Sequence, residues 1–277
     1  FLIFVAVADL VVIGRRLYLS RVDPSFKSTP TWNLFDVWIG GHLVLAGTFL
    51  FAIPMISIFG RQLKSSGAID GTAAASIIGL APQCLLMYLV PRYYIVRRYA
   101  QTMQGIGLSR FPSMEEIVKG VSYGLLTLVA ATTIYQAWAA ILSHVIGSTA
   151  MHALLETNRH TGNEEIIQST MKSPLLSILT FIGGGLMAPF GEEVFFRGFL
   201  LNALRQRFGA VSAVVISSVI FAVLHGGPLL ILAILPVGLI LGYAYVRTGS
   251  LWLPIIIHAV SNSIQLLAML AHAQMSR

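Results

Sequence analysis

Gly191-Glu192-Glu193-Val194-Phe195-Phe196-Arg197-Gly198 places two adjacent carboxylates and a guanidinium inside a run that is otherwise apolar. An ionisable residue at membrane depth costs roughly 2.5–3.5 kcal/mol on insertion scales, so it persists there mainly when it is paired and used. Three of them within six positions are a functional hypothesis by default. They matter for the fold because their surroundings are so poor in charge: the 277-residue chain is 56% hydrophobic and 10% charged, against about a quarter charged in soluble domains. With a mean hydropathy of +0.79, the expected fold class is all-α, a polytopic integral membrane helical bundle.

Apolar runs near 1–14, 38–60, 73–96, 118–147, 174–204, 211–226, 229–246 and 251–272 predict about eight helices, since a core of ~30 Å needs about 20 residues per span. The runs at 211 and 229 are short, as expected of segments packed around a site. A β-barrel would need alternating segments of ~10 residues, and these runs are continuous. The chain opens on the apolar Phe1, so its first span reads as shortened at the front, and no cleavable signal peptide is expected without a basic n-region. Residues 1–172 are read as N-terminal transmembrane helices and loops, and 173–277 as the C-terminal helical core that carries the candidate site, within one membrane domain.

Alternate loops carry unequal positive charge. Arg15, Arg16, Arg21, Lys27, Arg92, Arg97, Arg98, Arg110, Lys119, Arg205, Arg207 and Arg247 fall on one side, and Arg61, Lys64, Arg159, Lys172 and Arg277 on the other. By the positive-inside rule the first side is cytoplasmic. The net charge of +7 therefore reads as orientation and contact with anionic lipid, and no nucleic-acid partner is expected. The single cysteine, Cys84, excludes an intramolecular disulfide framework and a cysteine-rich metal cage.

Outside the central stretch the polar residues read as structural. Ser113 and Glu116 form a capping box that opens a helix. His42 and His144 are expected as interior hydrogen-bonders. Residues 148–173, with His152, His160, Glu164 and Glu165, read as the longest external loop, without metal-ligand spacing. Asp9 in the first span has no assigned role. Gly183-Gly184-Gly185 allows close helix approach, and Pro189 with Gly191 loosens the backbone just before the carboxylates.

Glu193 and Arg197 are i and i+4, so on a helix they share a face and can pair. Glu192 is turned about 100° away and stays free for another task. One carboxylate is thus tied to the frame and one is available as a base; a purely structural ion network is the alternative. Two later spans add Phe221 and His225, four residues apart and just before Gly226-Gly227-Pro228, then His258 and Asn262, again four apart.

In this order Glu-Glu-x-x-x-Arg, Phe-x-x-x-His and His-x-x-x-Asn resemble the motifs of the CPBP family of intramembrane proteases, which includes the CAAX prenyl proteases of the Rce1 type. The resemblance covers about the last 90 residues. It implies a peptide-bond hydrolase within the bilayer, acting on a membrane-associated peptide or protein, prenylated or not, with its site toward the cytoplasmic side of a prokaryotic plasma membrane. Glu192 would activate water with help from His225, while His258 and Asn262 would hold the oxyanion. Glu193, Arg197 and Phe221 would support them. No cofactor is expected, with zinc held by Glu192, His225 and His258 as the alternative. The rival readings are a non-catalytic membrane adaptor or immunity protein, and a transporter with an intramembrane carboxylate.

Overall fold

The structure, a computed structural model, describes residues 32–65, 71–108, 111–161, 174–226 and 228–275. Among them it is helical, with no strand. Helix α1 is Leu34–Ser65, α2 Gly71–Arg92, α3 Met114–Thr161, α4 Pro174–Thr180, α5 Ala188–Glu193, α6 Asn202–Leu224, α7 Pro228–Thr248 and α8 Trp252–Met275. The wide turns Phe181–Met187 and Val194–Leu201 are π-helical and join α4, α5 and α6 into one run. Helices suit this composition because they satisfy every backbone group within the segment.

Five stretches among the described residues are long and apolar enough to cross a membrane: Leu34–Ile58, Met114–Leu155, Pro174–Leu224, Leu229–Thr248 and Trp252–Met269. The expected count of eight is not reproduced. The spans read at 174–204 and 211–226 fall within one run, turned at Gly209, whose φ of 77° and ψ of 173° are open to glycine and strained for other residues. The span read at 73–96 forms α2 and the π-helical turn Tyr93–Arg98. The 1–14 span and Asp9 lie outside the described residues.

Two structural expectations change. Residues 148–161 are helical, not loop: after a break at Gly147 (φ 80°, ψ 162°) α3 continues to Thr161. Residues 162–173 lie outside the described residues. His144 is exposed, not interior, because α3 packs on its neighbours along few residues and its stretch around 143–150 is exposed. The capping box is present as read: the Ser113 amide donates to Glu116 Oε2 at 2.7 Å, and the Glu116 amide donates to Ser113 Oγ at 3.2 Å. His42 Nδ1 lies 2.8 Å from the Trp38 carbonyl oxygen.

The run from α4 to α6 is the central element, and every side chain of Val194–Leu201 is buried. Small residues set the crossings, as expected where helix association depends on close packing rather than on water exclusion. Gly191 sits on the backbone of Cys84 in α2, and Gly185 on Ser263 of α8. Gly120 and Gly124 of α3 meet Ile256 and Val260 of α8, and Gly238 of α7 meets Ser218 of α6. One end of the bundle is tied across the chain. Tyr245 donates to the Ile106 carbonyl, Asn202 donates to the Tyr245 hydroxyl oxygen at 2.7 Å, and the Leu251 amide donates to the Gly107 carbonyl. At the start of α1, the buried Asp36 accepts from the Tyr99 hydroxyl and lies 3.5 Å from Arg98.

Candidate active site

The two carboxylates lie at the junction between α5 and the second π-helical turn. A π-helical turn carries an extra residue, which re-aims the side chains around it and frees backbone carbonyls. Those carbonyls are taken up by side chains: Asn262 donates to Gly184 at 3.2 Å, and Asn202 donates to Gly198 at 2.9 Å. The expected helix irregularity is therefore present on both sides of Glu192 and Glu193.

Glu193 is fully buried. Its Oε1 accepts from Arg197 at 2.9 Å and from His258 Nδ1, also at 2.9 Å. Arg197, 1% exposed, also donates to the Gly238 carbonyl at 3.2 Å, and its guanidinium stacks 4.5 Å above the Phe221 ring. The i, i+4 pair is thus formed as read, with a third member, His258, which the sequence separates by 65 residues.

Phe221 connects this frame to the imidazoles. Its ring meets His225 edge-on at 4.5 Å and His258 edge-on at 5.7 Å. His225 caps α6, where Gly226 at φ +72° reverses the chain. Its Nδ1 lies 2.7 Å from the Phe221 carbonyl oxygen.

Both imidazole tautomers follow from their partners. A carboxylate or a carbonyl oxygen only accepts, so the Nδ1 of His258 and that of His225 each carry a hydrogen. In the neutral rings both Nε2 atoms then present lone pairs. They converge on Glu192 Oε2, from 4.0 Å for His225 and 3.8 Å for His258. That oxygen is buried without a hydrogen-bond partner. Three acceptors facing one another leave a place for something that donates protons or carries positive charge, such as a water.

A cavity of about 260 Å³ leads away from the two histidines. Its walls come from α3 (Thr127, Leu128), α7 (Ile234, Val237) and α8, along His258, Asn262 and Gln265 toward Met269. The structure thus brings together Glu192, Glu193, Arg197, Phe221, His225 and His258, and sets Asn262 one turn beyond His258 on the cavity wall. The sequence did not point to Thr127 or the α7 wall, which carry no motif. Gln265, a carboxamide three residues after Asn262 in an apolar helix, was a readable signal.

Comparison with known proteins gives the same region. Residues 174–264 match the family model described as Type II CAAX prenyl endopeptidase Rce1-like. The chain is 29% identical over 125 residues to "Putative membrane peptidase YdiL" of Bacillus subtilis (strain 168), covering 45% of this chain and 50% of that protein. It is 27% identical over 192 residues to an "Uncharacterized 24.3 kDa protein" of Escherichia coli, covering 66% and 76%. The match thus spans half the length of the B. subtilis relative. No solved structure matches. All seven motif residues fall within 174–264, the segment similar to the Rce1-like type II CAAX prenyl endopeptidase family.

Proposed function

We propose that the protein is an intramembrane endopeptidase that hydrolyses peptide bonds of membrane-associated substrates with a water activated by Glu192. The observation that carries this reading is the buried, unpartnered Glu192 oxygen faced by the Nε2 atoms of His225 and His258, which line a cavity within the helical bundle. A water held there gives one proton to Glu192 as its oxygen attacks the scissile carbonyl carbon, with His225 Nε2 accepting its other hydrogen bond. The proton then passes to the leaving amine nitrogen as the C–N bond breaks.

The oxyanion is the task of His258 and Asn262. His258 can donate from Nε2 only when that nitrogen also carries a proton. The resulting imidazolium is stabilised by Glu193, whose carboxylate already holds Nδ1. Asn262 gives one amide hydrogen to Gly184 and keeps the second for the oxyanion. Losing one such donor typically lowers the rate 10²–10³-fold. Arg197 anchors Glu193, and Phe221 holds both rings. His258 lies six residues from the start of α8, about 9 Å at 1.5 Å per residue. It is thus nearer the bundle end that carries Arg98 and Arg247, which supports a site facing the cytoplasmic side of a plasma membrane.

A second reading has support from the same residues. Ligating histidines usually donate their other ring N–H to a carboxylate or a backbone carbonyl, and both histidines here do so. Glu192, His225 and His258 would hold a zinc ion, which would supply Lewis-acid polarisation. The fit is incomplete: tetrahedral bonds of 2.0–2.1 Å set ligand atoms about 3.3 Å apart, closer than the 3.8 and 4.0 Å seen here. The membrane-adaptor reading is disfavoured because a scaffold has no use for an unpartnered buried oxygen.

The test is cleavage of membrane-tethered and prenylated peptides by purified protein in detergent, for wild type and Glu192→Ala, with and without a strong zinc chelator. The reading predicts activity that survives chelation and is lost in Glu192→Ala. Loss on chelation, restored by zinc, would establish the second reading. Unchanged activity in Glu192→Ala would overturn both.

A further inference from the structure

The cavity wall contains four polar side chains beyond the histidines, and two of them are already used. Ser261 donates to the Gly124 carbonyl at 3.0 Å, and Asn262 donates to Gly184. Thr127 of α3 and Gln265 of α8 make no hydrogen bond among the described residues, yet both line the cavity. Thr127 is only 2% exposed, so its hydroxyl has little access to any partner but one inside the cavity. An unpaired buried polar group costs about 1–3 kcal/mol. Gln265 is itself exposed along the cavity side of the bundle rather than enclosed, and a carboxamide thirteen residues into a membrane helix is unfavourable unless it is used.

The rest of the wall is apolar: Leu128 and Ala131 of α3, Ile234 and Val237 of α7, and Leu266 and Met269 of α8. A protease within the bilayer must take its substrate in extended form, because a helical peptide bond is shielded by its own turns. An extended segment exposes N–H and C=O groups that the bilayer core cannot satisfy. Hydroxyl and carboxamide each both donate and accept, as a peptide unit does.

We propose that Thr127 and Gln265 are the main-chain binding residues of a substrate subsite, holding the backbone of an extended peptide whose apolar side chains lie against α7. Gln265 falls outside the family-matched segment 174–264, so this is a feature of the wider chain. The proposal deepens the protease reading and rests on it, but binding can be measured without hydrolysis.

The experiment uses the full chain in detergent carrying Glu192→Gln, so that no probe is cleaved. The probes are fluorescently labelled acetyl-trileucine amide and its analogue methylated at the central amide nitrogen. Thr127→Val and Gln265→Leu, both close in shape, are added singly and together. The proposal expects the parent to prefer the unmethylated probe. Each substitution should weaken that probe roughly threefold to tenfold, the worth of one hydrogen bond, and should leave the methylated probe nearly unchanged. Equal weakening of both probes would show a packing role, and unchanged affinity would show no role; either overturns the proposal, as does failure of the parent to bind. Retained discrimination in the parent, with no peptide cleaved by wild type, would instead sustain the subsite and sink the protease reading.

Discussion

Arg197→Met is the most informative test of the frame. The guanidinium is 1% exposed and Glu193 is fully buried, so solvent cannot compensate either charge. Replacing Arg197 leaves the Glu193 carboxylate buried with only the His258 Nδ1 hydrogen as partner. Breaking a buried pair from one side costs about 3–5 kcal/mol, whereas replacing both members by apolar groups of similar volume is often near neutral. The same change removes the guanidinium from the face of Phe221, an interaction worth up to about 2 kcal/mol when desolvated. We therefore expect Arg197→Met to lower stability by about 3–5 kcal/mol. The double variant Glu193→Leu, Arg197→Met should recover at least half of that loss.

The assay is a double-mutant cycle of equilibrium unfolding in mixed micelles, read by tryptophan fluorescence. Activity must be measured beside it, because the two readouts separate. The double variant is expected to fold but to cleave poorly, since His258 then lacks the carboxylate that fixes its tautomer. If the single and double variants were equally unstable, with no coupling, the claim that Glu193 and Arg197 act as one buried unit would fail. If the double variant cleaved as fast as wild type, Glu193 would have no part in setting His258.

Two further outcomes follow from other parts of the fold. A methyl group on Gly191 would lie 2.6 Å from the Cys84 carbonyl oxygen, backbone against backbone, whereas one on Gly184 would meet only the end of Leu266 at 3.5 Å. Gly191→Ala should thus cost about 1–3 kcal/mol, as overpacking does, and displace Glu192, while Gly184→Ala should leave unfolding and cleavage nearly unchanged; equal effects would refute the close contact. Burial, and next the hydrogen bond to Asp36, push the Tyr99 phenol above its ordinary value, so above about pH 10 the unfolded chain loses this proton and the folded one keeps it. Stability should fall as pH rises through that range, and Tyr99→Phe should flatten the fall; an unchanged slope would show that the phenol does not titrate differently on folding.

The sequence made the candidate site legible because polar residues in an apolar chain stand out at helical spacing. The Glu193–Arg197 pair, the freedom of Glu192 and the helix stop after His225 could all be read from i, i+4 distances and glycines. What it hid is long-range or geometric. The bond between Glu193 and His258 joins α5 to α8, and no local period reports it. The two π-helical turns add a residue to the helix without a required residue type, so glycine and proline near 183–191 hinted at an irregularity but not at its form. The run 148–161 misled because polar residues suggest a loop, although helix propensity and the continuing i, i+4 bonds are compatible with polar side chains outside the apolar region. Gln265 falls between these cases. A lone carboxamide in a membrane helix is ambiguous by sequence, since it can join helices as Asn262 and Ser261 do in part. It becomes specific only when the structure shows those neighbours bonded to backbone carbonyls and Gln265 bonded to none among the described residues, on the wall of the cavity that His225 and His258 also line.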